Sequence, residues 1–134
     1  MRSKTTNKYL IGWMMLLLAC LAACTNKTEH SVLEPLEYLQ AINSVEHLQL
    51  IDVRSPEEFR SGHIKGAINF NYRDNNFRER VTLLDKEQPV YLYCRSGNRS
   101  AKAAQILKEE GFVKIYDLKG GILNWENNNL MLNK

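Results

Sequence analysis

Apolar residues along the chain fall into short, nearly continuous runs alternating with stretches of helical spacing, which predicts strands and helices in turn. Residues 47–53 read as a buried strand, 63–70 as a loop and a second short strand, 90–93 as a central strand and 113–118 as the last. Ser31-Val32-Leu33 adds a short edge strand. Between them, Glu34-Pro35 opens a helix whose Leu36, Leu39 and Ile42 share a face, with Pro35 at the first helical position. Ser55 is a natural N-cap with Glu58 three residues on and Pro56 between them, and Ser61-Gly62 ends that helix. Phe77, Val81 and Leu84 fit one helical face within 72–84. The clearest helix is 99–110, with Ala101, Ala104, Ile106 and Leu107 as its apolar stripe and Gly111 as its stop. Gly120-Gly121 turns the chain into a final helix carrying Leu123 and Trp125; Trp125 is expected in the core, whereas Tyr38 and His47 are expected as half-buried or surface residues. Strand, helix, strand recurs throughout, which argues for one α/β domain on a parallel sheet, without repeats.

The N-terminus follows another logic. Arg2, Lys4 and Lys8 form a positive region, residues 10–19 are apolar, and the small residues Ala22 and Ala23 precede Cys24, the pattern of an export signal. The apolar run is shorter than the ~20 residues of a transmembrane helix. Leu21-Ala22-Ala23-Cys24 resembles the lipobox of bacterial lipoproteins, which implies a multiply acylated Cys24 as mature N-terminus, since one acyl chain alone binds only marginally. Cys20 is an alternative cleavage position. The expected organisation is therefore a signal peptide over 1–23, a polar tether over 24–30 and a domain over 31–134, exported and lipid-anchored to a bacterial membrane at its periplasmic or cell-surface face.

Removing that signal changes the charge balance. Without Arg2, Lys4 and Lys8 the 18 basic residues no longer outnumber the 15 acidic ones, and a net charge near zero gives no case for a nucleic-acid surface. Roughly 110 residues remain, enough for one core, and a monomer is expected. Of three cysteines, Cys20 and Cys24 belong to the N-terminal segment, so Cys94 is the folded domain's only thiol and no intramolecular disulfide is available to it. A lone cysteine exported to an oxidising compartment is either buried and inert or reactive for a purpose.

Its neighbours favour purpose. Cys94 follows a strand, and Arg95-Ser96-Gly97-Asn98-Arg99-Ser100 leads into a helix, the place where an open α/β sheet binds ligands. The backbone N–H groups of Ser96, Gly97, Asn98 and Arg99 are expected to converge on the sulfur, with the helix dipole and two arginines adding positive potential; such surroundings favour a thiolate. Gly97 supplies the backbone freedom the wrap requires. The Ser100 hydroxyl is expected to cap the helix, either alone or with a further hydrogen bond near the sulfur. Asp52, Arg54, Glu58 and His63 make no zinc site, because a lone histidine lacks the companion ligands that one needs. Neither a metal nor a cofactor is called for.

Three motifs in order carry a family resemblance. The loop Cys94-Arg95-Ser96-Gly97-Asn98-Arg99-Ser100 is similar to the active-site loop of single-domain rhodanese sulfurtransferases. Asp52-Val53-Arg54-Ser55-Pro56-Glu57-Glu58-Phe59 with Gly62-His63-Ile64-Lys65-Gly66-Ala67 resembles their upstream signature, and Gly120-Gly121 with Trp125 their closing motif. The resemblance implies a five-stranded parallel sheet flanked by helices on both faces, and a structural hydrogen-bond and salt-bridge network of Asp52, Arg54, Glu58 and His63 behind the loop. It also implies a two-step transfer in which Cys94 carries sulfur as a persulfide from an anionic donor such as thiosulfate, held by Arg95 and Arg99, to a thiol, cyanide or protein acceptor.

Two alternatives stand beside this reading. A tethered persulfide carrier serving one dedicated partner would use the same loop. A cysteine-dependent phosphatase or arsenate reductase also ends its loop in an arginine, but that loop is one residue longer, as encircling a tetrahedral oxyanion demands; four residues separate Cys94 from Arg99 here.

Overall fold

The computed structural model describes residues 27–134. The signal-peptide and lipidation expectations at Cys20 and Cys24 lie outside them. Five parallel strands, β1 (Glu29–Leu33), β2 (Gln49–Asp52), β3 (Ile68–Asn69), β4 (Val90–Tyr93) and β5 (Lys114–Leu118), form one sheet in the order β1-β5-β4-β2-β3. Five helices connect or follow them: α1 (Pro35–Asn43), α2 (Pro56–Ser61), α3 (Phe77–Val81), α4 (Asn98–Glu109) and α5 (Gly121–Asn127). This is the expected α/β architecture. All strands run the same way, so the ends of β2, β4 and β5 open onto one edge, where loops and helix starts converge.

Central β4 is buried at every position because both faces of the sheet are covered. On one face Val90, Leu92 and Cys94 pack with Ile51, Ile115 and the helical residues Val81, Ala103, Ala104 and Leu107. On the other, Tyr91 and Tyr93 pack with Leu50, Leu118, Tyr38 of α1 and Trp125 of α5. Period-two alternation along one strand thus sends its aromatics one way and its cysteine the other.

Several local expectations are corrected. Tyr38 is not a surface residue: it is fully buried, its hydroxyl donates to the Leu92 carbonyl at 2.9 Å, and its ring meets Tyr91 and Trp125 edge-on. Leu36, expected beside Leu39 and Ile42, is exposed instead. β1 begins at Glu29, two residues inside the expected tether, because the Glu29 amide donates to Val113 and the Thr28 hydroxyl to Phe112. The stripe of α4 runs through Ser100, Ala103, Ala104 and Leu107, leaving Ala101 exposed. The stretch over 72–84 forms only the short α3. The Asn71 side chain binds Asp74 and the Arg73 amide, and such local bonds compete with helix.

Candidate active site

Cys94 is the first residue beyond β4, only 1% exposed. Its Sγ accepts a hydrogen bond from the Gly97 N–H at 3.0 Å. Gly97 can aim that amide because it sits at φ 101°, a left-handed conformation that costs glycine little, and it is also the N-cap of α4. The amides of Ser96, Asn98 and Arg99, expected to join the cradle, make no such bond to the sulfur; one donor reaches it. An N–H aimed at sulfur suits an anionic sulfur, and the α4 N-terminus adds potential of the same sign.

The loop is held from behind by α5. Ile122 and Leu123 donate their amides to the carbonyls of Cys94 and Arg95, at 2.9 and 3.2 Å. Gly121 permits this approach: a Cβ there would stand 2.5 Å from the Arg95 oxygen and 2.6 Å from that of Cys94. The Gly120-Gly121 pair is therefore more than a turn. Its first helical amides anchor the backbone on either side of the reactive residue.

The two loop arginines diverge. Arg95 is exposed and has no ion-pair partner among the described residues. Arg99, expected to hold an anionic donor beside it, instead grips both oxygens of Glu58, at 2.7 and 2.8 Å. Those hydrogen bonds, aided by the Ser55 amide, hold the Glu58 carboxyl down at about 2 despite partial burial. Glu58 is aimed by its helix start, where Ser55 and Glu58 make the capping box that their spacing predicts. Ser96 and Asn98 are exposed. The Ser100 hydroxyl takes neither expected role: it donates back to the Gly97 carbonyl at 3.2 Å.

Behind the loop, the upstream residues that the resemblance groups are joined by hydrogen bonds and an ion pair. Asp52 and Arg54 form a buried pair at 2.6 Å, and Arg54 also donates to the Gly62 carbonyl. His63 stacks on Phe59 and is hydrogen-bonded to its carbonyl. Beneath the loop, Asp117 is buried beside Ser100, and burial pushes its carboxyl up to about 6. A crevice of about 240 Å³ opens between α2, α5 and the loop, lined by Arg54, Glu58, Ser61, Arg95, Leu123 and Glu126 among others. Glu126 carries no chemical signature in the sequence; only the fold brings it to the wall of the crevice that Arg95 also lines.

Residues 34–128 match the model of the rhodanese-like domain. The chain belongs to that family. YqhL of Bacillus subtilis is 47% identical over 77 residues, which cover 58% of this chain and 60% of that protein. The thiosulfate sulfurtransferase GlpE of Shewanella oneidensis is 34% identical over 91 residues, 68% of this chain and 88% of its own. Among solved structures, a rhodanese-related protein from Thermoplasma volcanium superposes with a TM-score of 0.67 at 27% identity, covering 76% of this chain and 96% of that one. The chain spans less than two thirds of YqhL. In the rhodanese-like domain, then, the Cys94 loop, its α5 anchor and the Glu58–Arg99 pair assemble at the carboxyl edge of one parallel sheet.

Proposed function

We propose that this rhodanese-like domain is a sulfurtransferase that moves a sulfane sulfur from a small anionic donor such as thiosulfate to a thiol or cyanide through a persulfide on Cys94. The observation that carries the reading is the Gly97 N–H on Cys94 Sγ, at a strand end flanked by an arginine with no ion-pair partner among the described residues. The Cys94 thiolate attacks the outer sulfur of thiosulfate. An Sγ–S bond forms, the donor's S–S bond breaks, and the electron pair leaves on sulfite. An acceptor thiolate then attacks the outer sulfur, and the pair returns to Sγ. Neither step needs an external oxidant or reductant. The likeness to GlpE over most of that protein's length supports the donor class.

Arg95 holds the sulfonate end of the donor, because its fork is the one the loop leaves unpaired. Arg99 is assigned instead to fixing the loop against α2. Gly97 supplies the donor to the anionic sulfur, while Ser96, Asn98 and Ser100 complete the loop backbone without side-chain bonds to it. Near-complete burial of Cys94 restricts the site to small reactants.

We further propose that Cys24 is the lipidated N-terminus that tethers the domain to a bacterial membrane, on the resemblance of residues 21–24 to a lipobox. Intact mass of the protein from the membrane fraction tests this, and an unmodified N-terminal methionine overturns it. The sulfur-transfer reading is tested by incubating the protein with thiosulfate and weighing it. A gain of one sulfur atom, absent from Cys94→Ser, is expected. No gain, with phosphate released from aryl phosphates instead, overturns it.

A further inference from the structure

We infer that residues 129–133, which lie beyond the part of the chain matching the family domain, form a strap that positions the Cys94 loop by tying together its two supports. The inference rests on the sulfur transfer proposed above and adds a positioning segment to it. One support is α5, whose Ile122 and Leu123 amides hold the carbonyls of Cys94 and Arg95. The other is α2, whose Glu58 grips Arg99. Both helices are short, seven and six residues, and α2 fully buries none of its own. Helices of that length gain little stiffness from their internal hydrogen bonds, so contacts at their far ends decide how firmly they stand.

The strap meets both far ends. Asn129 turns the chain back at φ 57°, the single non-glycine at positive φ among the described residues. The Leu130 amide donates to the Trp125 carbonyl at 3.3 Å and the Trp125 indole N–H donates to the Met131 carbonyl at 3.1 Å, which fixes the strap to α5. Asn133 then exchanges two main-chain hydrogen bonds with His63, donating at 2.8 Å and accepting at 2.9 Å. His63 follows Gly62, the C-cap of α2, and its ring stacks on Phe59 of that helix. Leu132 lies against the same cap: a Cβ on Gly62 would stand 3.4 Å from its side chain. The contacts close a ring that runs from Cys94 through α5, the strap, His63 and α2 back to Arg99. Release of the strap lets the two supports move separately, and the Gly97 N–H then loses its aim at Sγ. That costs rate rather than donor capture. Attack on sulfur needs close alignment, whereas Arg95 reaches its anion on a long exposed side chain that tolerates small movements.

The test follows sulfur loading by mass over a range of thiosulfate concentrations for the full-length protein, Asn133→Ala, Asn133→Pro and a chain shortened to Asn128. Both bonds at Asn133 belong to the main chain, so Asn133→Ala should load as wild type does. Asn133→Pro removes the N–H that the His63 carbonyl accepts. It should lower the limiting loading rate about threefold, and the shortened chain about tenfold, with half-saturating thiosulfate held within about twofold. Hydrogen exchange at the Ile122 and Leu123 amides should quicken in the same order while the β4 amides keep their protection. A strap that merely stabilises the fold would lower the melting temperature and leave the limiting rate per folded molecule at the wild-type value, and that result overturns the inference. Equal losses in Asn133→Ala and Asn133→Pro overturn it too, because the main-chain bonds would then not be the cause. If the shortened chain does not fold, Asn133→Pro decides alone. Failure of the wild type to load overturns sulfur transfer instead, and the exchange measurement, which needs no donor, still judges the strap.

Discussion

Glu58 and Arg99 lie 41 positions apart and meet in a two-pronged ion pair, 2.7 and 2.8 Å, that fastens the N-terminal turn of α4 to α2. The pair decides which loop arginine is free for ligand. By satisfying Arg99 it leaves Arg95 as the loop's uncompensated cation, and it ties the residue two positions after Gly97 to a capped helix start. Loop conformation and charge are therefore set together.

Glu58→Gln tests the pair through pH. The Glu58 carboxyl is held at about 2, chiefly by the hydrogen bonds from Arg99, against an ordinary 4.5. A depressed folded value means that the pair stabilises fully above pH 4.5 and that its contribution is lost as pH falls through about 2. Solvent screening keeps the contribution to about 1 kcal/mol. The variant should therefore melt roughly 4 °C lower than wild type at pH 7, with the gap closing below pH 4. A gap that does not change with pH would show that the carboxylate's charge is irrelevant.

Gly121→Ala should be the most damaging change near the loop that leaves every loop residue in place. At φ 63° an L side chain is strained, and its Cβ would meet the carbonyl oxygens of both Cys94 and Arg95 at about 2.6 Å or less. Backbone atoms cannot rotate away as a side chain can. A loss of about 3 kcal/mol in urea unfolding is expected, with slower sulfur loading from thiosulfate. Wild-type stability in the variant would mean that α5 can withdraw from the loop without cost.

Tyr38→Phe isolates one buried hydrogen bond. The hydroxyl reaches the Leu92 carbonyl in the middle of β4, and burial pushes the phenol well above its ordinary range, so it remains a donor throughout the accessible pH span. Removing it keeps the ring contacts with Tyr91 and Trp125. A loss of about 1–2 kcal/mol, the same at pH 6 and pH 9, is expected from denaturant unfolding. Loss of less than a few tenths would place the anchoring of α1 wholly in ring packing.

Tyr38 also shows where sequence reasoning runs out. Short apolar runs locate β2 and β4, a capping box locates α2 and helical spacing locates α4, and the strand–cysteine–glycine order locates the reactive loop, because each signal lies within about a dozen residues. Burial of Tyr38 depends on β4, 54 positions away, and the fate of Arg99 on Glu58, 41 away. Nothing local ranks Arg95 above Arg99. The α4 stripe was obscured by chemistry instead: its first buried member is Ser100, whose polarity hides it from an apolar pattern. The start of β1 was hidden by its polar Glu29 and His30, which join the sheet by pairing with Lys114 and Ile115.

Asp117→Asn should stabilise the protein, and only above a definite pH. Asp117 is 3% exposed, one carboxylate oxygen has no hydrogen-bond partner, and burial raises its carboxyl from 3.8 to about 6 against the opposing pull of Ser100 and the Leu118 amide. The folded protein thus holds the proton more tightly than the unfolded chain. Between pH 3.8 and 6 the unfolded state releases it first, so stability falls as pH rises through that window, and above 6 the whole penalty of burying the charge is present. Asparagine resembles the neutral acid in shape and carries no charge to desolvate. The variant should therefore match wild type at pH 4 and exceed it at pH 8 by an amount on the order of 2 kcal/mol, measured as the difference between unfolding curves at each pH. A variant less stable than wild type at pH 8 would mean instead that the ionised carboxylate stabilises the chain around it. Wild-type sulfur loading in Asp117→Asn, together with the added stability, would show that this charge is a cost of the fold that the Cys94 loop does not require.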